Sequence, residues 1–292
     1  MNVPWKARPA RLRRTLITAV LALAGLLAVT FAGTSARAAG TTAASPAGGT
    51  RPVIVLEHGA WADASSWDRV IALLQRAGFT VYAPPNPLRG LSSDAANLAD
   101  FLTQNPALAG QHIVLVGHSY GGAVITDAAT GDSAVKALVY VDAFIPAQGE
   151  SIGQLIAAKP GSCIGGNPAT VFDPVPAAGA PAGDPDLYLQ ASEFPGCFAS
   201  GLPASEAAVL AATQRPLAES AVTDVSGPPA WKTIPSWAVI GTSDQVIPPA
   251  ELLAMAQRAG AKVTDVPAGH LSLISDPGAV ARVIIEAAAA TS

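Results

Sequence analysis

Short, wholly apolar runs alternate with segments of helical spacing over most of the chain. Val53-Ile54-Val55-Leu56 is too short for a helix and reads as a buried strand. Trp67 to Ala77 has helical spacing and stops at Gly78, a residue suited to the position after a helix end. Thr80 to Ala83 is a second strand, halted by Pro84-Pro85, and Ser92 or Ser93 caps a helix running to about Gln104. Ile113 to Val116 is a strand, Gly121 to Ala129 a helix, and Val135 to Val141 a strand. The pattern resumes with a strand at Trp237 to Ile240, a helix from Pro248 to Ala259 and a strand from Lys262 to Val266. A closing helix spans Pro277 to Ala290, with Asp276 as its cap and Pro277 in the first turn. Apolar strands alternating with helices predict an α/β fold, a mostly parallel central sheet covered by helices on both faces.

Between these halves, from 144 to 235, the pattern breaks. Thirteen prolines and both cysteines fall there, and helical spacing is weak except near Ser205 to Gln214. Such a segment is expected to stay out of the sheet and to form an inserted lid or binding loop. Its aromatic residues, Phe172, Tyr188, Phe194, Phe198 and Trp231, either line an apolar pocket or only anchor the insert on the core.

The first residues follow different rules. Lys6, Arg8, Arg11, Arg13 and Arg14 precede an apolar run from Leu16 to Ala32, and Ala36-Arg37-Ala38 reads as a cleavage site. Residues 1–38 are therefore expected to be a secretory signal peptide, 39–50 a disordered linker, and 51–292 one domain. A membrane anchor is the alternative, since the run is just long enough to span a bilayer. Arg13-Arg14 also fits a twin-arginine signal, so the export route stays open. Cleavage predicts a secreted protein without stable membrane insertion.

Removing the leader changes the charge. It holds six of the 17 basic residues and none of the 21 acidic ones, leaving 11 against 21 and a net of −10. No basic patch remains for a phosphate backbone, so nucleic acid is not an expected partner. Cys163 and Cys197, the only two cysteines, are expected to pair in an oxidising compartment; two buried thiols are the alternative. Neither lies in a metal-ligand pattern. If the insert roofs a pocket, reducing that pair should act on substrate binding more than on the catalytic groups.

Gly117-His118-Ser119-Tyr120-Gly121 stands between a strand and a helix. This is G-x-S-x-G in the context that makes it a nucleophile elbow, with Ser119 on the tight turn. A serine hydroxyl needs a base. Of the four histidines, His112 precedes its strand, His118 is inside the elbow and His58 follows the first strand. His270 alone follows Ser119 in the chain, as the order Ser, acid, His requires. Asp244, in the loop after strand 237–240, is the expected acid that orients it, and Asp142, which also ends a strand, is its competitor. The backbone N–H groups of Tyr120 and Ala60 are the expected oxyanion donors, with Gly59 allowing close approach of that backbone to substrate.

These segments, together with Trp67, Val139 to Phe144, Pro146 and Gly269, make residues 51–290 resemble the α/β-hydrolase superfamily. The resemblance is to its branch of plant methyl esterases, hydroxynitrile lyases and small bacterial carboxylesterases. It implies hydrolysis of a small-molecule ester through an acyl-enzyme, without a cofactor. The lyases of that branch carry Thr where Gly59 stands and Lys directly after the histidine. Leu271 follows His270 here, which favours hydrolysis over C–C lysis, and a serine nucleophile argues against dehalogenation. The alternatives are a hydroxynitrile lyase, a cofactor-free perhydrolase, or a slow-turnover small-molecule-binding protein. Acyl preference and oligomeric state are not encoded legibly.

Overall fold

In the computed structural model, residues 51–291 are described; the expected leader and linker lie outside them. The first half contains β1 (Val53–Glu57), α1 (Asp68–Arg76), β2 (Val81–Tyr82), α2 (Leu91–Gln104), β3 (Ile113–His118), α3 (Tyr120–Ala128) and β4 (Val135–Val141). An insert follows, with α4 (Ile152–Ala158), α5 (Pro168–Val171), β5 (Phe172–Val175), β6 (Asp186–Leu189), α6 (Ala204–Thr213), β7 (Leu217–Ala218) and α7 (Glu219–Thr223). The core resumes with β8 (Ser236–Gly241), α8 (Pro249–Arg258), β9 (Lys262–Val266), α9 (Ser272–Ser275) and α10 (Pro277–Ala290).

Six strands form one sheet in the order β2-β1-β3-β4-β8-β9, and every pairing is parallel. This is the α/β sheet expected from the apolar runs: β1, β3 and β8 are buried at every position. Burial on both faces explains the lack of polar alternation in these strands. Helix α1 packs against α10 and α2 against α3, two pairs flanking the sheet. The chain leaves β1 toward β2 and returns to β3 on β1's other side. That reversal opens a crevice at the carboxyl ends of β1 and β3, where ligands collect in such sheets.

Two local expectations need correction. Helix α2 is not capped by Ser92 or Ser93; its cap position is Gly90, and Ser93 Oγ donates back to the Gly90 carbonyl at 2.9 Å. The Asp94 carboxylate takes the cap's work instead, accepting the N–H groups of Arg89 and Gly90. The insert is also more regular than its prolines suggest. Strands β5, β6 and β7 pair antiparallel in a small sheet separate from the main one. Helix α4 begins with a capping box, Ser151 and Gln154 each bonding the other's backbone N–H. Helix α6 lies where helical spacing predicted it. Asp276 caps α10 through the Ala279 N–H, as expected. Among the described residues, no helix is long and apolar enough to cross a membrane.

Candidate active site

Strand β3 delivers Ser119 at its carboxyl end with φ 54° and ψ −124°, a conformation rare for any residue with a Cβ. Three backbone bonds hold it there. Ser119 N–H donates to the Val141 carbonyl, while the Ser119 carbonyl accepts from Gly122 and Phe144. Such strain persists only where the surroundings over-determine it. Gly117 makes the turn possible, because a Cβ there would stand 2.5 Å from the Gly121 carbonyl oxygen. The serine is held in place at the head of α3.

The loops after β8 and β9 bring the other two groups to it. His270 Nε2 lies 2.9 Å from Ser119 Oγ, and His270 Nδ1 lies 2.8 Å from Asp244 Oδ2. All three are buried. Asp244 Oδ1 accepts the N–H groups of Val246 and Ile247, so its loop fixes the carboxylate before the imidazole reaches it. Asp142 makes no hydrogen bond to His270 among the described residues. It accepts from the N–H of Gly241 at 2.6 Å and of Ser272 at 3.3 Å, tying the acid loop to the base loop. Burial, with the nearby negative charge of Asp244, pushes the Asp142 carboxyl up to about 7.

The remaining buried histidines are structural in their contacts. His118 Nε2–H donates to the His270 carbonyl at 2.9 Å. His58 Nδ1–H donates to the Gly59 carbonyl, and its Nε2 accepts the Asn86 N–H. Burial, aided by the Arg215 charge, pulls His58 down to about 4, against the opposing effect of its bond to Gly59. These contacts shape the turn that carries Gly59 and Ala60 past the serine.

Gly59 makes a close approach within the protein. A Cβ there would lie 2.7 Å from Ser119 Cβ and 2.8 Å from the His118 carbonyl oxygen. The close approach it allows is to the elbow itself. Ala60, Ser119 and Tyr120 then line one cavity of about 270 Å³. Among the described residues, neither the Ala60 nor the Tyr120 N–H is bonded to a backbone acceptor. The Tyr120 hydroxyl is anchored away from the cavity, donating to Asp94 Oδ2 at 2.8 Å.

The cavity's wall is apolar and comes largely from the insert, including Ile152, Ile156, Ile164, Phe172, Leu187 and Val222. Among the described residues, Glu219 is the sole carboxylate lining it. Of the insert aromatics, Phe172 lines this space. Phe194 and Phe198 are packed inside the protein, and Trp231 ties the two ends of the insert together by donating its Nε1–H to the Pro146 carbonyl. Trp61, unremarked in the sequence beyond its motif, stacks on Phe172 at 5.6 Å and bonds the Leu187 carbonyl, joining the core loop to the insert. Cys163 and Cys197 form a disulfide. Among the described residues, no cluster of three or more His, Cys, Asp or Glu is arranged to hold a metal ion.

A parallel sheet with a strained serine at its switch point and a histidine–aspartate pair behind it defines a hydrolase-type fold. Residues 53–283 match the alpha/beta hydrolase family, and the chain belongs to it. A stretch of 111 residues is 37% identical to a carbendazim hydrolyzing esterase of Nocardioides sp., covering 35% of this chain and 46% of that protein. The chain thus matches about half the length of that curated relative. In fold it is similar to a pyrethroid hydrolase of Sphingobium faniae, at 24% identity and a TM-score of 0.64 over 82% of this chain and 98% of that one. A methylesterase from Arabidopsis shares the fold at 17% identity and a TM-score of 0.64, over 81% and 99% of the two chains.

Proposed function

We propose that this chain is a serine esterase that cleaves small carboxylic esters through an acyl-enzyme. The observation that carries this reading is the continuous contact from Ser119 Oγ through His270 to Asp244, with Ser119 lining an apolar cavity. In this reading Ser119 Oγ attacks the ester carbonyl while its proton passes to His270 Nε2. Asp244 holds the Nδ1–H tautomer and stabilises the imidazolium. The Ala60 and Tyr120 N–H groups receive the oxyanion. His270 returns the proton to the leaving alcohol, then activates the water that frees the acid. No step calls for a cofactor.

The wall favours a neutral, apolar acyl or alcohol group, because among the described residues no cation lines the cavity to hold an anionic one and Glu219 opposes it. The insert 144–235 serves as its lid. The local similarity to a carbendazim hydrolyzing esterase supports hydrolysis and makes carbendazim a reasonable member of a substrate panel. Export with loss of residues 1–38 fits the disulfide, which needs an oxidising compartment. Turnover of p-nitrophenyl acetate and butyrate, absent in Ser119→Ala, is the test. Saturable binding without turnover would favour the binding-protein alternative.

A further inference from the structure

One half of the disulfide packs against the loop that carries the acid, and the residues just after the other half pack against the loop that carries the base. On one side, Cys163 N–H donates to the Gln245 carbonyl at 2.8 Å and Ser162 Oγ to the Val246 carbonyl at 2.7 Å. Both acceptors directly follow Asp244. On the other side, Phe198, next to Cys197, lays its ring against the His270 imidazole, with centroids 5.3 Å apart and planes at 60°. Ser200 presses on the same loop, since a Cβ on Gly269 would stand 2.5 Å from the Ser200 carbonyl oxygen. Phe198 is buried and braced by Phe194 at 5.0 Å and Trp61 at 5.8 Å, yet it does not line the substrate cavity. An open recess of mixed polar and apolar lining lies beside this contact, bounded by Gly196, Ser200, Ser243, Gln245 and Gly269.

We infer that Phe198 is a positioning residue for His270, and that the Cys163–Cys197 disulfide holds it there while anchoring the Asp244 loop. The inference rests on the triad reading of Ser119, His270 and Asp244. The cross-link then governs the chemical step, whereas an insert acting only as a pocket roof would govern substrate binding. Small misplacements of a base cost rate steeply, on the order of 10²-fold for about 1 Å. The ring edge of Phe198 limits how far the imidazole can swing from Ser119 Oγ.

The experiment compares wild type, Phe198→Ala, Phe198→Leu and dithiothreitol-reduced wild type on p-nitrophenyl butyrate. Labelling of Ser119 by a fluorophosphonate is measured in parallel, and thermal melts confirm that each sample is folded. The expected result is that Phe198→Ala and reduction each lower kcat roughly 10- to 100-fold. KM should move less than about threefold, as expected when ground-state binding is untouched. Fluorophosphonate labelling should slow in step with kcat. Phe198→Leu, which keeps an apolar side chain against the ring, should recover most of the rate. An unchanged kcat in both Phe198→Ala and the reduced enzyme, or a change confined to KM, overturns the positioning role while leaving the esterase reading intact. Should Phe198→Ala not fold, Phe198→Val, whose shorter side chain withdraws from the imidazole, replaces it beside the reduced enzyme and is expected to lose kcat in the same way. A wild type that neither turns over nor labels at Ser119 removes the esterase reading and this inference with it.

Discussion

Replacing Gly59 with alanine should disable the site without removing any of its polar groups. Gly59 is not in the left-handed region, so its backbone accepts a side chain and the whole cost is contact. The added methyl would meet Ser119 Cβ at 2.7 Å and Ser119 Oγ at 3.3 Å. Ordinary carbon contacts begin near about 3.5 Å, so the two turns must part by about 0.8 Å. That displacement pulls Ser119 Oγ away from His270 Nε2 and widens the space between the Ala60 and Tyr120 N–H groups. A shift of this size costs about 10²-fold in rate, or about 2.7 kcal/mol in the barrier. Overpacking should also lower stability by about 1–3 kcal/mol. The assay is kcat and KM on p-nitrophenyl butyrate, with urea unfolding alongside. Gly196→Ala is the control, because nothing lies within 4 Å of a Cβ there. A folded Gly59→Ala enzyme with wild-type kcat would refute the reasoning, since the nucleophile would then tolerate the shift.

Further outcomes follow from other contacts. His58 is held neutral in the fold with a pKa of about 4, while the unfolded chain titrates near about 6.5. Its contribution is fully present above about pH 6.5 and is lost as pH falls toward about 4, worth roughly 3 kcal/mol in all. The stability gap between wild type and His58→Gln, measured by urea unfolding, should therefore shrink between about pH 7 and about pH 4.5; an equal gap at both contradicts it. Asp244→Asn should cost far more activity than Asp142→Asn, because Asp244 alone of the two bonds the imidazole. A larger loss at Asp142 would move the acid to that position. Protein recovered from the medium should have an intact mass lacking residues 1–38, and a chain starting at Met1 in the membrane fraction would support the anchor.

Legibility in the sequence tracked the range of the interactions concerned. The core strands were readable because burial on both faces leaves uninterrupted apolar runs such as Val53 to Leu56. Ser119 and His270 were readable because G-x-S-x-G needs a defined strand-to-helix turn and because chain order left one histidine. The insert was read as irregular apart from the helical spacing near Ser205 to Gln214. Its proline density hides strands β5 and β6, whose partners lie many residues away, and the capping-box pair Ser151 and Gln154 that starts helix α4 was not read from the sequence. Phe198 could not be singled out, since a ring packed on His270 from 72 positions earlier leaves no periodic trace. The approach of Gly59 to Ser119 was not legible, because it exists only once β1 and β3 pair. The pairing of Cys163 with Cys197 was legible from compartment and number, while its placement over the acid and base loops was not.

The central claim is that Ser119 forms a covalent acyl intermediate. Wild-type protein should be mixed with p-nitrophenyl butyrate, quenched in acid within the first turnover, digested and analysed by mass spectrometry. The account predicts one butyryl group on the peptide containing Ser119, and none on Ser119→Ala treated identically. Turnover with no acyl group on Ser119 at any quench time, or an acyl group on another residue that survives in Ser119→Ala, would contradict it.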